Sequence, residues 1–290
     1  MHTSDNFKGI CWMVASMGAF ALEDAFVKAA ARQLPIGQLL MMFGLGGMLA
    51  FAAFPRRGAV GLLHPAARSK AMLVRAGFEF VGRLFYVLAI ALTPLSSATA
   101  ILQATPVLVV LGASVYFRER VGWRRWVAVV MGLVGVLVVL RPSAADFSWL
   151  SLLTLVGMVG FAGRDLASRA VSPLLTTRHL GFYGFLIIVV AGALYGLWEG
   201  RALVRPTVAS TAAVASAVAI GVLAYACLMK AMRTGDIATV TPFRYTRLLF
   251  GVGLGVVAFN ETVDTPMLLG CAIIAGAGLF IAWSGRLARR

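Results

Sequence analysis

Acidic residues are scarce: 11 Asp and Glu stand against 26 Lys and Arg in 290 residues, and charged residues make up only 13% of the chain. An ordinary soluble domain carries about a quarter charged residues, so composition excludes a water-soluble globular fold. Histidine is almost missing. His2, His64 and His179 lie in the tail and in loops and form no ligand cluster. The three cysteines, Cys11, Cys227 and Cys271, all sit in apolar runs and read as packing residues, not as a disulfide framework or a metal site. There is no His-Glu-x-x-His, no aspartate pair suited to proteolysis and no Gly-x-Ser-x-Gly. With those motifs absent, an intramembrane enzyme has no catalytic set, and neither a metal nor a cofactor is expected. The glycines at Gly251, Gly253 and Gly255 follow no strand, so they do not form a nucleotide loop. A cleavable signal peptide is not expected either, because the first apolar run ends in Glu23, Asp24 and Lys28 without a small-residue cleavage pattern.

What the chain does have is apolar sequence, 60% of its residues, with a mean hydropathy of +0.90. A net charge of +15 would elsewhere suggest a nucleic-acid partner. Here the bases cluster in short segments between apolar runs, so membrane topology accounts for them and no nucleic acid is expected. The stretch at 91–142 organises the rest. Its two apolar runs, 97–117 and 123–140, are each close to the ~20 residues that cross a bilayer. Between them lies Arg118-Glu119-Arg120-Val121-Gly122-Trp123-Arg124-Arg125, four bases and one acid, a loop expected on the cytoplasmic side. Residues 231–284 repeat this order, but the matching loop is Asn260-Glu261-Thr262-Val263-Asp264-Thr265, with two acids and no base. The two hairpins are therefore expected to face opposite ways, and such inverted repeats point to transport.

Spans are predicted near 9–29, 36–54, 72–92, 97–117 and 123–140, and again near 149–169, 181–198, 208–231, 238–259 and 266–284, with Pro35, Pro94, Pro142, Pro206 and Pro266 falling between them. With the N-terminus inside, 17 of the 26 Lys and Arg lie on the inner side, 5 on the outer side and 4 within spans. That bias supports ten spans with both termini cytoplasmic. The sequence thus predicts an all-α integral membrane protein, with ten transmembrane helices as two inverted five-helix repeats, 1–142 and 143–290. A second trace of duplication is the match of Phe20, Asp24 and Lys28 to Phe161, Asp165 and Arg169 at a constant spacing of 141, with Arg164 in the place of Glu23. Each copy sets an acid one turn before a base, where the two can pair. Glu119 and Glu261 read as residues that shape the hairpin turns.

The chain carries Arg75 opening the third span, Ala91-Leu-Thr-Pro-Leu-Ser-Ser-Ala98 closing it, Pro106 in the fourth, the Glu119 loop, and Gly132 to Pro142 ending the first half. The second half has Pro242-Phe243-Arg244-Tyr245, the Phe259-Asn260-Glu261 turn, and Gly270 to Gly278 in the last helix. In these words the chain resembles the drug/metabolite transporter superfamily in its EamA-type, ten-helix form. The resemblance implies a central cavity between the two halves, alternating access and a bacterial inner-membrane location. Members of this kind export amino acids and related metabolites, or take up compounds such as S-adenosylmethionine or riboflavin. Arg244 and Arg247 depart from the pattern, since apolar or small residues are expected beside Tyr245.

Arg75, Glu79 and Arg83 fall on one face of the third span. A charge at mid-bilayer costs roughly 2.5–3.5 kcal/mol on insertion scales, so these three must pair, face a wet cavity or lie near the membrane ends. The plainer reading is a structural Arg–Glu–Arg ladder anchored at the cytoplasmic end; Glu79 and Arg83 lie deeper, and a role at the cavity is favoured for them. Arg244 and Arg247 share a face of the ninth span beside Tyr245, and Pro242 can open that helix. Two guanidiniums and a phenol suit a carboxylate or phosphate; the alternative for Arg244 is snorkelling to the interface. Gln103 and Pro106 point to a kinked fourth span with a polar group at the cavity. The candidate substrate residues are Glu79, Arg83, Gln103, Arg244, Tyr245 and Arg247. Glu23, Asp24, Asp165 and Glu79 are candidates for coupling or gating, with a salt bridge to Lys28 or an outer-loop base as the plainer reading of Glu23 and Asp24. Because bases outnumber acids within the spans, the favoured substrate is an amino acid or related carboxylated metabolite, moved by a secondary transporter with export as the favoured direction. The alternatives are uptake of S-adenosylmethionine- or riboflavin-like compounds and efflux of cationic drugs. The expected partners are a small-molecule substrate and the lipid bilayer, in a monomer or weak homodimer.

Overall fold

A computed structural model describes residues 3–53, 61–116, 123–140, 148–168, 170–172, 174–234 and 240–287. No strand occurs among the described residues. In chain order they form α1 (Thr3–Ala31), α2 (Ile36–Ala53), α3 (Lys70–Leu92), α4 (Leu95–Leu102), α5 (Thr105–Tyr116) and α6 (Trp123–Leu140), then α7 (Ser151–Ser168), α8 (Thr177–Glu199), α9 (Val208–Arg233), α10 (Thr246–Phe259) and α11 (Thr265–Leu287). Short 3-10 turns cover Pro65–Arg68 and Thr241–Tyr245. The Glu119 loop and Arg169 lie outside the described residues.

Local sequence sets the ends of these helices. The Ser69 side chain accepts from the Met72 amide at the start of α3, and that helix stops at Thr93, ahead of Pro94. The Thr207 hydroxyl caps α9 in the same way. Gly200 ends α8 in the left-handed region at φ 65°, which glycine adopts without a Cβ penalty. Two predicted spans are broken. The fourth divides at Gln103 and Ala104 into α4 and α5, with Pro106, which has no amide proton, in the first turn of α5. Within the ninth, Thr241–Tyr245 form the 3-10 turn containing Pro242, and the α-helix runs from Thr246.

Among the described residues four helices, at Asp5–Ala31, Ile36–Ala53, Thr177–Glu199 and Val208–Leu228, are long and apolar enough by length and composition to cross a membrane. Large apolar side chains such as Leu49, Leu73, Val130, Leu197, Leu249 and Val257 face outward, as lipid contact allows and water does not. The helices pack chiefly as pairs drawn from opposite ends of the chain: α1 with α9, α2 with α8, α3 with α7, and α6 with α11, while α10 lies against α1 and α4. Small residues permit the closest of these contacts. A Cβ on Gly160 of α7 would run into the backbone of Gly82 on α3, so these two helices touch along their main chains. That approach brings the charged residues of α3 and α7 together.

Polar contacts close both ends of the α2–α8 pair. At one end the Arg178 guanidinium donates to the Phe51 and Ala52 carbonyls at 3.2 and 2.5 Å, satisfying the last turn of α2. At the other, the Gln38 amide exchanges two hydrogen bonds with the backbone of Val204, at 2.8 and 2.9 Å.

Candidate functional site

The interior holds charges that a lipid-embedded bundle can keep only if they are paired and hydrogen-bonded. Glu23 and Asp24 of α1 are each 2% exposed. Arg83 of α3 donates to Glu23 at 3.1 Å, and Gly221 of α9 leaves space for that carboxylate. Arg247, in the first turn of α10, donates to Asp24 at 2.5 Å, and the Tyr86 hydroxyl donates to the same carboxylate oxygen at 2.9 Å.

A second group lies between α3 and α7. Glu79 stands between Arg75 at 3.5 Å and Arg164 at 3.4 Å. Arg164 reaches on to Asp165 at 2.8 Å. Arg75 also donates to the Ser168 hydroxyl at 3.0 Å, which in turn donates to the Arg164 carbonyl at 2.7 Å.

Arg244 is different. Its carbonyl accepts from the Gln103 amide at 2.9 Å, which joins the two broken spans at their breaks. Its half-buried guanidinium lies in the field of Asp165, Arg164 and Arg247, yet it has no ion-pair partner among the described residues. Beside it the Tyr245 hydroxyl is buried and without a hydrogen-bond partner, as are Nε of Arg83 and of Arg247. The carboxylates Glu23, Asp24, Glu79 and Asp165 thus each hold at least one guanidinium, whereas Arg244 pairs with none of the described carboxylates.

Beyond this cluster, Lys28 and Glu261 form a closed polar knot. Glu261 accepts from the Leu95 amide at 2.6 Å and from the Ser96 amide and hydroxyl at 2.9 and 2.7 Å. Lys28 pairs with it at 3.4 Å and donates to the Ile90 and Thr93 carbonyls at 3.1 and 2.5 Å. Asn260, with φ 54°, turns the chain so that Glu261 points back, and only a glycine at 255 leaves room for its carboxylate. Burial alone would raise the Glu261 pKa, but the Ser96 and Leu95 donors, with Lys28, outweigh it and hold the group below the usual carboxylate value.

These contacts correct several sequence expectations. Arg83 is not the third rung of a ladder on α3; it crosses to Glu23, because α1 packs near that face. Asp24 pairs with Arg247 and not with Lys28 one turn away, since Lys28 is taken by Glu261. Glu261 does more than shape a hairpin: it caps the start of α4 from the other half of the chain. Arg244 lies within the charged interior and does not snorkel. Arg164, one of the 17 bases assigned to the inner side, links Glu79 and Asp165, a role not expected from the sequence. Its position opposite Glu23 in the repeat, with the charge reversed, was the signal available in the sequence. Among the described residues no His, Cys, Asp and Glu group could hold a metal ion.

An all-helical bundle with outward apolar faces and enclosed ion pairs fits a multi-pass membrane protein. The comparisons agree on this class. Residues 7–141 match the EamA-like transporter family, so this part of the chain is similar to that family. It is 24% identical to an S-adenosylmethionine uptake transporter of Rickettsia bellii, covering 97% of this chain and 95% of that one. A riboflavin transporter of Vibrio cholerae is 25% identical over 98% of this chain and 96% of its own length. A pseudopaline exporter of Pseudomonas aeruginosa is 24% identical, with 93% and 94% covered. One crystal structure shares the fold at a TM-score of 0.61, with 19% identity over 97% of this chain and 98% of the other. The relatives are transporters and not enzymes.

Proposed function

We propose that this protein is a secondary transporter of the bacterial inner membrane that moves a small carboxylated metabolite, an amino acid or a close derivative, by alternating access. Its ten spans form two inverted five-helix halves, 1–142 and 143–290, with both termini cytoplasmic and export as the favoured direction. The exchange of packing partners supports two related halves: the first span of each half lies against the third span of the other, in α1 with α9 and α3 with α7. The observation that carries the substrate reading is Arg244, a guanidinium without a counter-ion among the described residues, next to the Tyr245 hydroxyl, which lacks a hydrogen-bond partner among them. A carboxylate placed there answers both groups, with a charge-assisted bond from the guanidinium. Gln103 fixes the backbone of this site. Arg247, already neutralised by Asp24, acts as a positioning residue, as do Arg83 and Glu79 through their own partners. A cationic drug would meet a surplus positive charge, which counts against drug efflux.

Uptake of an S-adenosylmethionine-like compound is the second reading, favoured by the names of relatives that align over nearly the whole chain. S-adenosylmethionine has a carboxylate that the same anchor would serve, but its sulfonium and ammonium give it a net positive charge, which the positive charge at Arg244 disfavours. The test is a labelled metabolite panel in proteoliposomes of either orientation. Transport of carboxylated members, and loss of apparent affinity by about 10- to 100-fold in Arg244→Gln, is the expected result. Equal handling of a substrate and its carboxamide analogue would reject the reading.

A further inference from the structure

We infer that the cleft between the α1–α2 turn and the α8–α9 loop binds the headgroup of an anionic phospholipid, of which phosphatidylglycerol is the simplest form. The site lies at the periphery of the bundle, and it stands whatever substrate the interior carries.

Two short connections build it. Residues 32–35 join α1 to α2, and residues 200–207 join α8 to α9. Between them is an open cavity of about 350 Å³, with Arg32, Gln33, Pro35, Arg201 and Val204 among its lining residues. That volume falls within the roughly 300–1,000 Å³ of small-molecule sites. Its walls are held in place without a ligand. Gln38 grips the Val204 backbone, and the Thr207 hydroxyl donates to the Gln33 side-chain oxygen at 2.7 Å. Both guanidiniums are supported from behind. Arg32 lies over the Phe259 ring, 5.0 Å from its centroid, and Arg201 is drawn towards Glu199 at 3.7 Å.

Charge, distribution and surroundings together select the ligand. Two guanidiniums on one cavity suit a phosphate, whose oxygens can accept from both planar forks. Among the described residues no acidic side chain lines the cavity. Glu199, nearby, is engaged by Arg201 and by the Gly37 amide at 3.3 Å, so the ammonium of a zwitterionic headgroup finds a poorer match. Of the five bases that the sequence assigns to the outer side, Arg32 and Arg201 line this cavity and Arg205 follows on the same loop. Bases are otherwise kept to the cytoplasmic side, and their gathering here calls for a local anion. Leu197, Trp198, Leu203 and Val208, which flank and form the loop, are exposed. An exposed tryptophan suits the headgroup level of a membrane, and the apolar side chains offer acyl chains a surface. An anion that continues into an apolar tail answers both features, whereas a soluble phosphate answers only the first. Bound there, the headgroup joins two connections far apart in the chain and so stabilises the folded bundle.

The test uses the full chain in a nonionic detergent, stripped of its own lipid. Binding of phosphatidylglycerol and phosphatidylethanolamine is followed by native mass spectrometry, and the thermal midpoint is measured with each lipid and with inorganic phosphate. One phosphatidylglycerol is expected to bind at least about 10-fold more tightly than phosphatidylethanolamine and to raise the midpoint, which inorganic phosphate leaves unchanged. Arg32→Gln combined with Arg201→Gln should weaken phosphatidylglycerol binding by about 100-fold or more. Arg205→Gln, off the cavity, should stay within the roughly 5-fold effect of a base near a charged surface. If the double variant does not fold, Arg201→Gln decides alone, with an expected loss of about 10-fold; its side chain is 72% exposed. Equal affinity for the two lipids, or wild-type affinity in the arginine variants, would overturn the site. A loss in Arg205→Gln as large as that in the double variant would replace it with diffuse surface charge. Stabilisation by inorganic phosphate equal to that by phosphatidylglycerol would assign the cleft to a soluble anion and reject the lipid.

Discussion

Arg247 and the Tyr86 hydroxyl converge on one oxygen of Asp24, and the arginine comes from 223 residues further along the chain. The ion pair therefore ties α10 of the second half to α1 of the first, with α3 supplying the third contact.

Breaking a buried pair from one side leaves the other charge uncompensated, which costs about 3–5 kcal/mol. Asp24→Asn and Arg247→Gln should each lower the thermal midpoint in detergent by many degrees. The double variant should lose clearly less than the two single losses combined, because neither orphan charge remains. Additive losses would show that the two side chains do not act as a pair.

Glu261 offers a test with a definite pH sign. Its pKa is held below the ordinary value of 4.5 in the folded protein, so its contribution is fully present above that value and disappears as the pH falls through the lowered one. Glu261→Gln should cost about 1.5–3 kcal/mol at neutral pH and flatten the acid limb of the midpoint-against-pH curve. An acid limb identical to that of the wild type would assign the loss to other carboxylates.

How much of this was legible in the sequence depends on the range of the interaction. The helix at 123–140 was legible, because an apolar run follows a basic loop and precedes Pro142. The break at Gln103 could be read from Pro106, which removes a backbone donor within its own turn. The partners of Arg83, Asp24 and Lys28 could not be read, since one-turn spacing favours local pairs such as Asp24 with Lys28, while the true partners depend on which helices lie side by side. Arg164 was missed for a related reason: a base close to a predicted span end resembles an interfacial residue until α7 is seen against α3.

The contact between α3 and α7 should be intolerant of bulk at one point and indifferent at another. Gly160→Val has to push the Gly82 backbone away and should cost about 1–3 kcal/mol or more, with the ion pairs of Glu79 displaced as well. Gly77, on the same helix as Gly82, has nothing within 4 Å of an added Cβ, so Gly77→Ala should be neutral or stabilise by about 0.5–1 kcal/mol. Thermal midpoints of the two variants settle both points.

Sidedness can be read by cysteine labelling with an impermeant reagent. Positions 120 and 233 and the C-terminus should react from the cytoplasm and position 264 from outside. Placement of the 118–125 and 260–265 loops on one side would remove the inverted arrangement of the halves.

The cap on α4 also says something about the order in which this chain is built. Pro94 precedes that helix and offers no side-chain cap, so its first amides depend on a carboxylate 165 and 166 residues downstream. On the ribosome the fourth span is therefore made, and delivered to the membrane, long before its acceptor exists. Until the turn after the ninth span has been synthesised, those amides must borrow water or lipid headgroups. The first half can enter the bilayer early, but it reaches its final form only when the second half arrives, so a chain interrupted between them leaves a nascent unit that quality-control proteases can recognise.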